Sequence, residues 1–262
     1  MTRVLSALVL LPLVIGTVWF LPPIATLALA TMAAVVAFTE YAGIMAAIGS
    51  RMPKPVTAAA VAAACLCVGG GYPSADVILM SAVIVVGAIA VAEGAADPAV
   101  LRGAAAAILA VAYIGLPLGA FAAVRAFAGR EAVLLLMLTI VISDSAQYYC
   151  GRAFGRRPLA PAISPKKTIE GAIGGMVFGT AAMTVGGRWV FADVSMPLLV
   201  LVSASITALG MVGDLFESML KRSAGVKDSS HLIPGHGGVL DRIDSWLFAA
   251  PLYYAFTRYL RL

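Results

Sequence analysis

SMLKRSAGVKDSSHLIPGHGGVLDRID, residues 218–244, gathers Lys221, Arg222, Lys227, Asp228, His231, His236, Asp241, Arg242 and Asp244 into one span, with both histidines of the chain among them. Gly235, Gly237 and Gly238 sit between these charges. Long apolar runs lie immediately before and after. Of the 262 residues 61% are hydrophobic and 12% charged, with a mean hydropathy of +0.99. An ordinary soluble domain carries about 25% charged residues. The polar stretch is therefore an island in a polytopic membrane protein. Apolar runs here are continuous rather than alternating over about ten residues, which excludes a transmembrane barrel and leaves helices as the way to satisfy the backbone in lipid. The fold class is all-α, one membrane domain over residues 1–262, with N-terminal spans in 1–131 and the more polar spans and loops in 132–262.

Working outward, nine apolar segments are expected, at about 4–20, 24–48, 56–70, 77–92, 103–123, 132–149, 169–191, 197–216 and 243–259. Arg3 and the first run resemble a signal peptide, with a small-residue site at Ala28-Leu29-Ala30. The apolar sequence continues past it, so an uncleaved first span is expected. Nine spans put the termini on opposite sides. With the N-terminus in the cytoplasm, Arg125, Arg130, Arg188, Arg258 and Arg261 fall outside, leaving thirteen of the 18 Lys and Arg inside. The positive-inside rule thus favours N-in and C-out. The polar segments 150–168 and 217–242 then both face the cytosol. The net charge of +5 belongs to this asymmetry, and no nucleic-acid partner is expected. Cys65, Cys67 and Cys150 lie in or beside apolar runs without zinc spacing and read as small buried residues.

Asp214, Glu217 and Lys221 lie three and four residues apart and share a helix face. Asp241 and Asp244, three apart, share a face where the last span begins. Antiparallel neighbours would bring Asp214, Asp241 and Asp244 to similar depth. Clustered carboxylates repel, and a bound Mg²⁺ relieves this because it takes a few carboxylates together with substrate phosphates. The plainer alternative pairs Glu217 with Lys221, and the aspartates with Arg222 and Arg242. Asp144 sits inside the sixth apolar run, where a carboxylate marks a functional site or a salt bridge to a cation such as Arg152. Tyr148 and Tyr149 suit an interfacial belt. In ISPKKTIEGAIGG, Thr168 or Ser164 would cap the seventh helix, with Glu170 in its first turn. Lys166 and Lys167 beside that terminus would attract an anion, or serve as positive-inside anchors. Gly171, Gly174 and Gly175 would permit close helix packing. Glu40 lies in the cytosolic half of the second span, placed either to touch the same polar centre or to snorkel to the surface.

These residues resemble the C-terminal signature of the CDP-diacylglycerol synthases, the phosphatidate cytidylyltransferases. That pattern is met by Ser218, Lys221, Arg222, Lys227, Asp228, His236, Gly237, Gly238, Asp241, Arg242 and Asp244. The upstream GDLFES and ISPKKTIEG segments are similar too, with Ile169 where relatives often carry Trp. After Asp144 the family's usual Asp-Thr-Gly/Ala-Ala-Tyr run is replaced by Ser145-Ala146-Gln147-Tyr148. The resemblance implies a Mg²⁺-dependent, homodimeric integral membrane enzyme joining CTP and phosphatidic acid into CDP-diacylglycerol and pyrophosphate, with a second cation a possibility. It implies a bacterial-type inner membrane, with the active site toward the cytoplasm. Asp214, Asp241 and Asp244 would hold metal, while Lys221, Arg222, Lys227 and Arg242 would bind phosphates. Ser164, Lys166, Lys167, His236, Gly237 and Gly238 would contact substrate, and Asp144 and Asp228 would support the site electrostatically. Two other readings are an ion-coupled transporter using Glu40 and Asp144, disfavoured by the lack of an internal repeat, and a polyprenol-type lipid kinase.

Overall fold

The computed structural model describes residues 2–72, 75–94, 96–235 and 237–260. Ten α-helices account for most of them: α1 (Thr2–Phe20), α2 (Pro23–Ala47), α3 (Lys54–Gly70), α4 (Ala75–Ala92), α5 (Pro98–Ala110), α6 (Leu116–Ala128), α7 (Arg130–Phe154), α8 (Ile169–Val190), α9 (Met196–Ser223) and α10 (Leu240–Ala255). A single π-turn, Val111–Gly115, joins α5 to α6, so Pro98–Ala128 runs as one helix. Among the described residues six helices are long and apolar enough to cross a membrane: α2, α4, Pro98–Ala128, α7, α8 and α9. α3 and Leu10–Phe20 are shorter apolar helices. The protein is thus a helical, polytopic integral membrane protein. Val83, Ile84 and Val85 are exposed on α4, a surface suited to acyl chains rather than water.

The expected polar loop 150–168 is more ordered than its three prolines suggest. α7 continues to Phe154, and β1 (Pro158–Ala160) pairs antiparallel with β2 (Ser164–Thr168), Ala160 opposite Ser164 and Pro158 opposite Thr168. Pro165 is accommodated because a two-stranded ribbon consists only of edges, where a missing N–H costs no ladder bond. α9 also outruns the expected end at 216, reaching Ser223.

The chain packs as two units. One comprises Met1–Ala126 with Leu220–Ile243, the other Phe127–Met219 with Asp244–Leu262. In the first, α2 buries Ala34, Ala37, Phe38 and Tyr41, and the Tyr41 hydroxyl donates to the Ala106 carbonyl of α5 at 3.1 Å. Residues 220–243 belong to this unit although they lie far along the chain from α2.

In the second unit α7 and α8 are in extended contact. A Cβ on Gly174 would lie 2.5 Å from Cys150 Sγ, and one on Gly175 would lie 2.4 Å from Gln147 Cγ. Absent side chains let the two backbones approach, the expected small-residue packing of membrane helices. Cys65 is buried, Cys67 and Cys150 are half-buried, and all three are free thiols.

Candidate active site

In the first unit the polar stretch is built from its helix ends inward. α9 closes on Gly225 at φ +70°, with Val226 N–H donating to Lys221 O at 3.0 Å and Gly225 N–H to Arg222 O at 3.0 Å. This is the Schellman arrangement, which needs a left-handed residue and so favours glycine. It turns the chain back, and Ser229 and Gly238 both reach Asp241. The Arg222 Nη1 donates to Val226 O at 2.9 Å, bracing the same turn. Further on, Ile233 N–H donates to Gly237 O at 2.8 Å.

Asp241, in the first turn of α10, is the hub of this loop. Its Oδ1 accepts from Lys221 Nζ at 2.5 Å. Its Oδ2 accepts from Ser229 N at 2.9 Å, Ser229 Oγ at 2.8 Å and Gly238 N at 2.8 Å. Both partners of the ion pair are largely shielded, with side chains 11% and 5% exposed. Burial pushes the Asp241 carboxyl up, but the Lys221 ammonium, the Gly238 amide and the Ser229 hydroxyl outweigh it and hold the group at about 2. Lys227, Asp228 and Arg242 are exposed on the same unit. His236, expected to contact substrate, lies outside the described residues.

Glu40 of α2 reaches into this loop as well. It is 6% exposed and accepts from Ser229 Oγ at 3.1 Å, Ser230 Oγ at 2.7 Å, Val239 N at 3.0 Å and Leu240 N at 2.7 Å. Of the two placements open to Glu40 from the sequence, contact with the polar centre is the one observed. A carboxylate inside an apolar run was the available signal, but its partners lie about two hundred positions away and no local spacing points to them.

The second unit holds the remaining candidates. Lys167 of β2 forms an ion pair with Asp214 of α9, its neighbour Lys166 being exposed. Strand alternation sends the two lysines to opposite faces, which separates two residues that the sequence presents as a pair. Thr168 caps α8, its Oγ1 accepting from Gly171 N at 3.1 Å, as expected. Ser164, the alternative cap, instead opens β2. Glu170 Oε2 accepts from the backbone N–H groups of Arg156 and Arg157 at 3.0 and 3.2 Å, fastening the hairpin to the helix it precedes. An open cleft of about 370 Å³ beside it is lined by Arg156, Arg157 and Glu170 among others. Asp144 Oδ1 accepts from Gln147 Nε2 at 3.1 Å, one turn further along α7. Asp244 is half-buried and its Oδ1 accepts from Ser245 N at 2.7 Å.

Two of the three aspartates meet lysines: Asp214 pairs with Lys167 and Asp241 with Lys221. Among the described residues no three His, Cys, Asp or Glu side chains are gathered into a ready metal cage. Mg²⁺ does not require one, since it binds one or two carboxylates and completes its shell with phosphate and water. The donors present are hard oxygens that already attract cations. Asp241 Oδ2 accepts from two backbone N–H groups and faces the Ser229 hydroxyl, so its capacity for another cation lies at Oδ1. Taken singly, Asp241 Oδ1 is a hard oxygen donor of the kind a divalent cation takes.

A helical membrane protein whose charge is concentrated in lysine-neutralised aspartates and basic loops is equipped to hold anionic groups next to lipid. The chain belongs to the Cytidylyltransferase family, whose model matches residues 1–260. It is similar to the phosphatidate cytidylyltransferase of Staphylococcus haemolyticus, 41% identical over 145 residues covering 55% of each protein. It is also similar to that of Haemophilus influenzae, at 42% over 132 residues covering 49% of this chain and 46% of the relative, and to that of Bacillus subtilis, at 38% over 148 residues covering 56% and 55%. The matched region spans about half the length of these curated relatives.

Proposed function

We propose that the protein transfers a cytidylyl group from CTP to phosphatidic acid, giving CDP-diacylglycerol and pyrophosphate for phospholipid biosynthesis. The observation that carries this reading is the set of bonds that ties signature residues Lys221 and Gly238 to Asp241, on a chain of the Cytidylyltransferase family. An oxygen of the lipid phosphate attacks the α-phosphorus of CTP. The bond from that phosphorus to the bridging oxygen breaks, and pyrophosphate leaves with the electron pair. The lipid phosphate loses its second proton near pH 6, by analogy with other phosphomonoesters, so at neutral pH it needs little general-base help. The barrier is the approach of two anions, and neutralising charge is the main requirement.

Lys221, Arg222, Lys227 and Arg242 supply that charge, and Ser164, Lys166 and Lys167 orient the nucleotide. His236, Gly237 and Gly238 contact substrate, and Asp144 and Asp228 tune the local field. Asp214, Asp241 and Asp244 would hold Mg²⁺, which when bound neutralises phosphate charge and polarises the reacting phosphoryl group. The nine-span, N-in and C-out topology, with the site facing the cytoplasm of a bacterial-type inner membrane, rests on the charge asymmetry of the loops. A homodimer is part of the same reading.

Mass analysis of the lipid product tests this. Cytidylyl transfer adds a CMP unit to the lipid, whereas a lipid kinase adds one phosphate. A lipid heavier by a single phosphate would reject the reading.

A further inference from the structure

Glu40 is a buried carboxylate to which the proposed chemistry gives no part. It projects from α2, whose remaining buried side chains are apolar apart from Thr26. A carboxylate there would be costly unless satisfied. Its two oxygens accept from the Ser230 hydroxyl and the amides of Val239 and Leu240, and the Ser229 hydroxyl, whose single proton is shared with Asp241, lies at 3.1 Å.

Val239 and Leu240 stand at the start of α10, where helix N–H groups have no partner within the helix. Glu40 therefore caps α10 from a distant helix, and its negative charge meets the positive end of the helix dipole. The next residue along is Asp241. Ser229 Oγ lies within hydrogen-bond distance of both Glu40 Oε2 and Asp241 Oδ2, so the carboxylates grip the loop from either side. Asp241 in turn holds Lys221. Gly238 is explained by the same contact: a Cβ there would lie 2.2 Å from Ser229 Oγ and 2.4 Å from Glu40 Oε2.

We propose that Glu40 is a positioning residue for the signature loop: by capping α10 and holding Ser229 and Ser230, it sets the placement of Asp241 and Lys221. It acts through Ser229, Ser230 and the first turn of α10. The inference rests on the proposed function for its kinetic consequence, but the anchoring itself can be read without turnover.

The test uses the full chain purified in detergent. Glu40→Gln keeps length and one acceptor oxygen but turns an amide NH₂ toward N–H and O–H donors. Amide hydrogen exchange across residues 229–240 should speed up at Val239 and Leu240 by about tenfold or more, the scale of one lost charge-assisted hydrogen bond. The kcat should fall by a similar factor, with the KM for CTP shifting less than about threefold, because the displaced groups act on developing charge. Glu40→Asp, one carbon shorter, should recover part of both. Ser230→Ala removes a single donor to Glu40 and should give a smaller change of the same kind. It keeps the test decisive if Glu40 variants fold poorly.

Unchanged exchange in Glu40→Gln and Ser230→Ala would overturn the anchoring. Faster exchange with wild-type kcat would overturn the link to Asp241 and Lys221. If the unmodified protein makes no CDP-diacylglycerol, the functional reading fails by itself, while the exchange measurement still decides whether Glu40 holds the loop.

Discussion

Gly238→Ala is the sharpest perturbation of the signature loop. The added Cβ would sit 2.4 Å from Glu40 Oε2, where ordinary contact begins at 3.4 Å. The carboxylate must then retreat by about 1 Å. Its 2.7 Å bond to Leu240 N becomes about 3.7 Å, beyond hydrogen-bond range. The 3.0 Å bond to Val239 N is lost with it. Two largely buried donors left unsatisfied cost about 1–3 kcal/mol each. Local relaxation recovers part of this, so an opening penalty of about 2–5 kcal/mol is expected. Even the lower figure raises the opening equilibrium of the loop about 30-fold. Gly225→Ala is the control: nothing lies within 4 Å of its would-be Cβ, and only its φ of +70° is unfavourable. That strain is worth about 1–2 kcal/mol. Amide exchange in detergent should show residues 229–240 opening at least about 30-fold more often in Gly238→Ala, and much less change there in Gly225→Ala. Wild-type exchange in Gly238→Ala, or a larger effect at 229–240 from Gly225→Ala, would refute the packing argument.

Acid should act on the loop through Asp241. Its carboxyl is held at about 2 against an ordinary 3.8, so the unfolded chain takes up the proton first. The tie to Lys221 is fully present above about pH 4 and is lost as the pH falls through about 2, a contribution of about 2 kcal/mol. Asp241→Asn should show that loss already at neutral pH and a flatter acid limb in a detergent unfolding titration; an unchanged limb would count against it. The two basic segments should divide the substrates. Lys167→Ala should mainly raise the KM for CTP and Arg222→Ala that for the lipid, measured by paired titrations in mixed micelles, and equal shifts in both would indicate one shared pocket. For topology, single cysteines placed near Arg156 and near Arg258 should label from opposite sides of the membrane, and labelling from one side would exclude the nine-span arrangement.

The helical membrane architecture was legible because continuous apolar runs leave the backbone no other way to be satisfied in lipid. The cap at Thr168 was legible for a similar reason: its bond is local, to Gly171 three residues on. Partner choice across distance was not. No local spacing links Lys221 to Asp241; the turn at Gly225 folds the loop back over the end of α9 and brings them together. Lys166 and Lys167 read as a pair until strand alternation separates them. For Glu40 the sequence offered the polar centre or snorkelling but not the partners, because Ser229, Ser230, Val239 and Leu240 lie about two hundred positions along the chain. The hairpin 158–168 escaped because strands of three and five residues with prolines carry no periodic signal.

Cytidylyl transfer can be read straight from the fate of the label in CTP. The purified chain is mixed with phosphatidic acid in micelles, with and without Mg²⁺, and given CTP labelled at either the α- or the γ-phosphate. Transfer as proposed puts α-label in the lipid and γ-label in pyrophosphate, both only with Mg²⁺. Label from the γ-phosphate in the lipid, or no labelled lipid from protein shown to be folded, would contradict it.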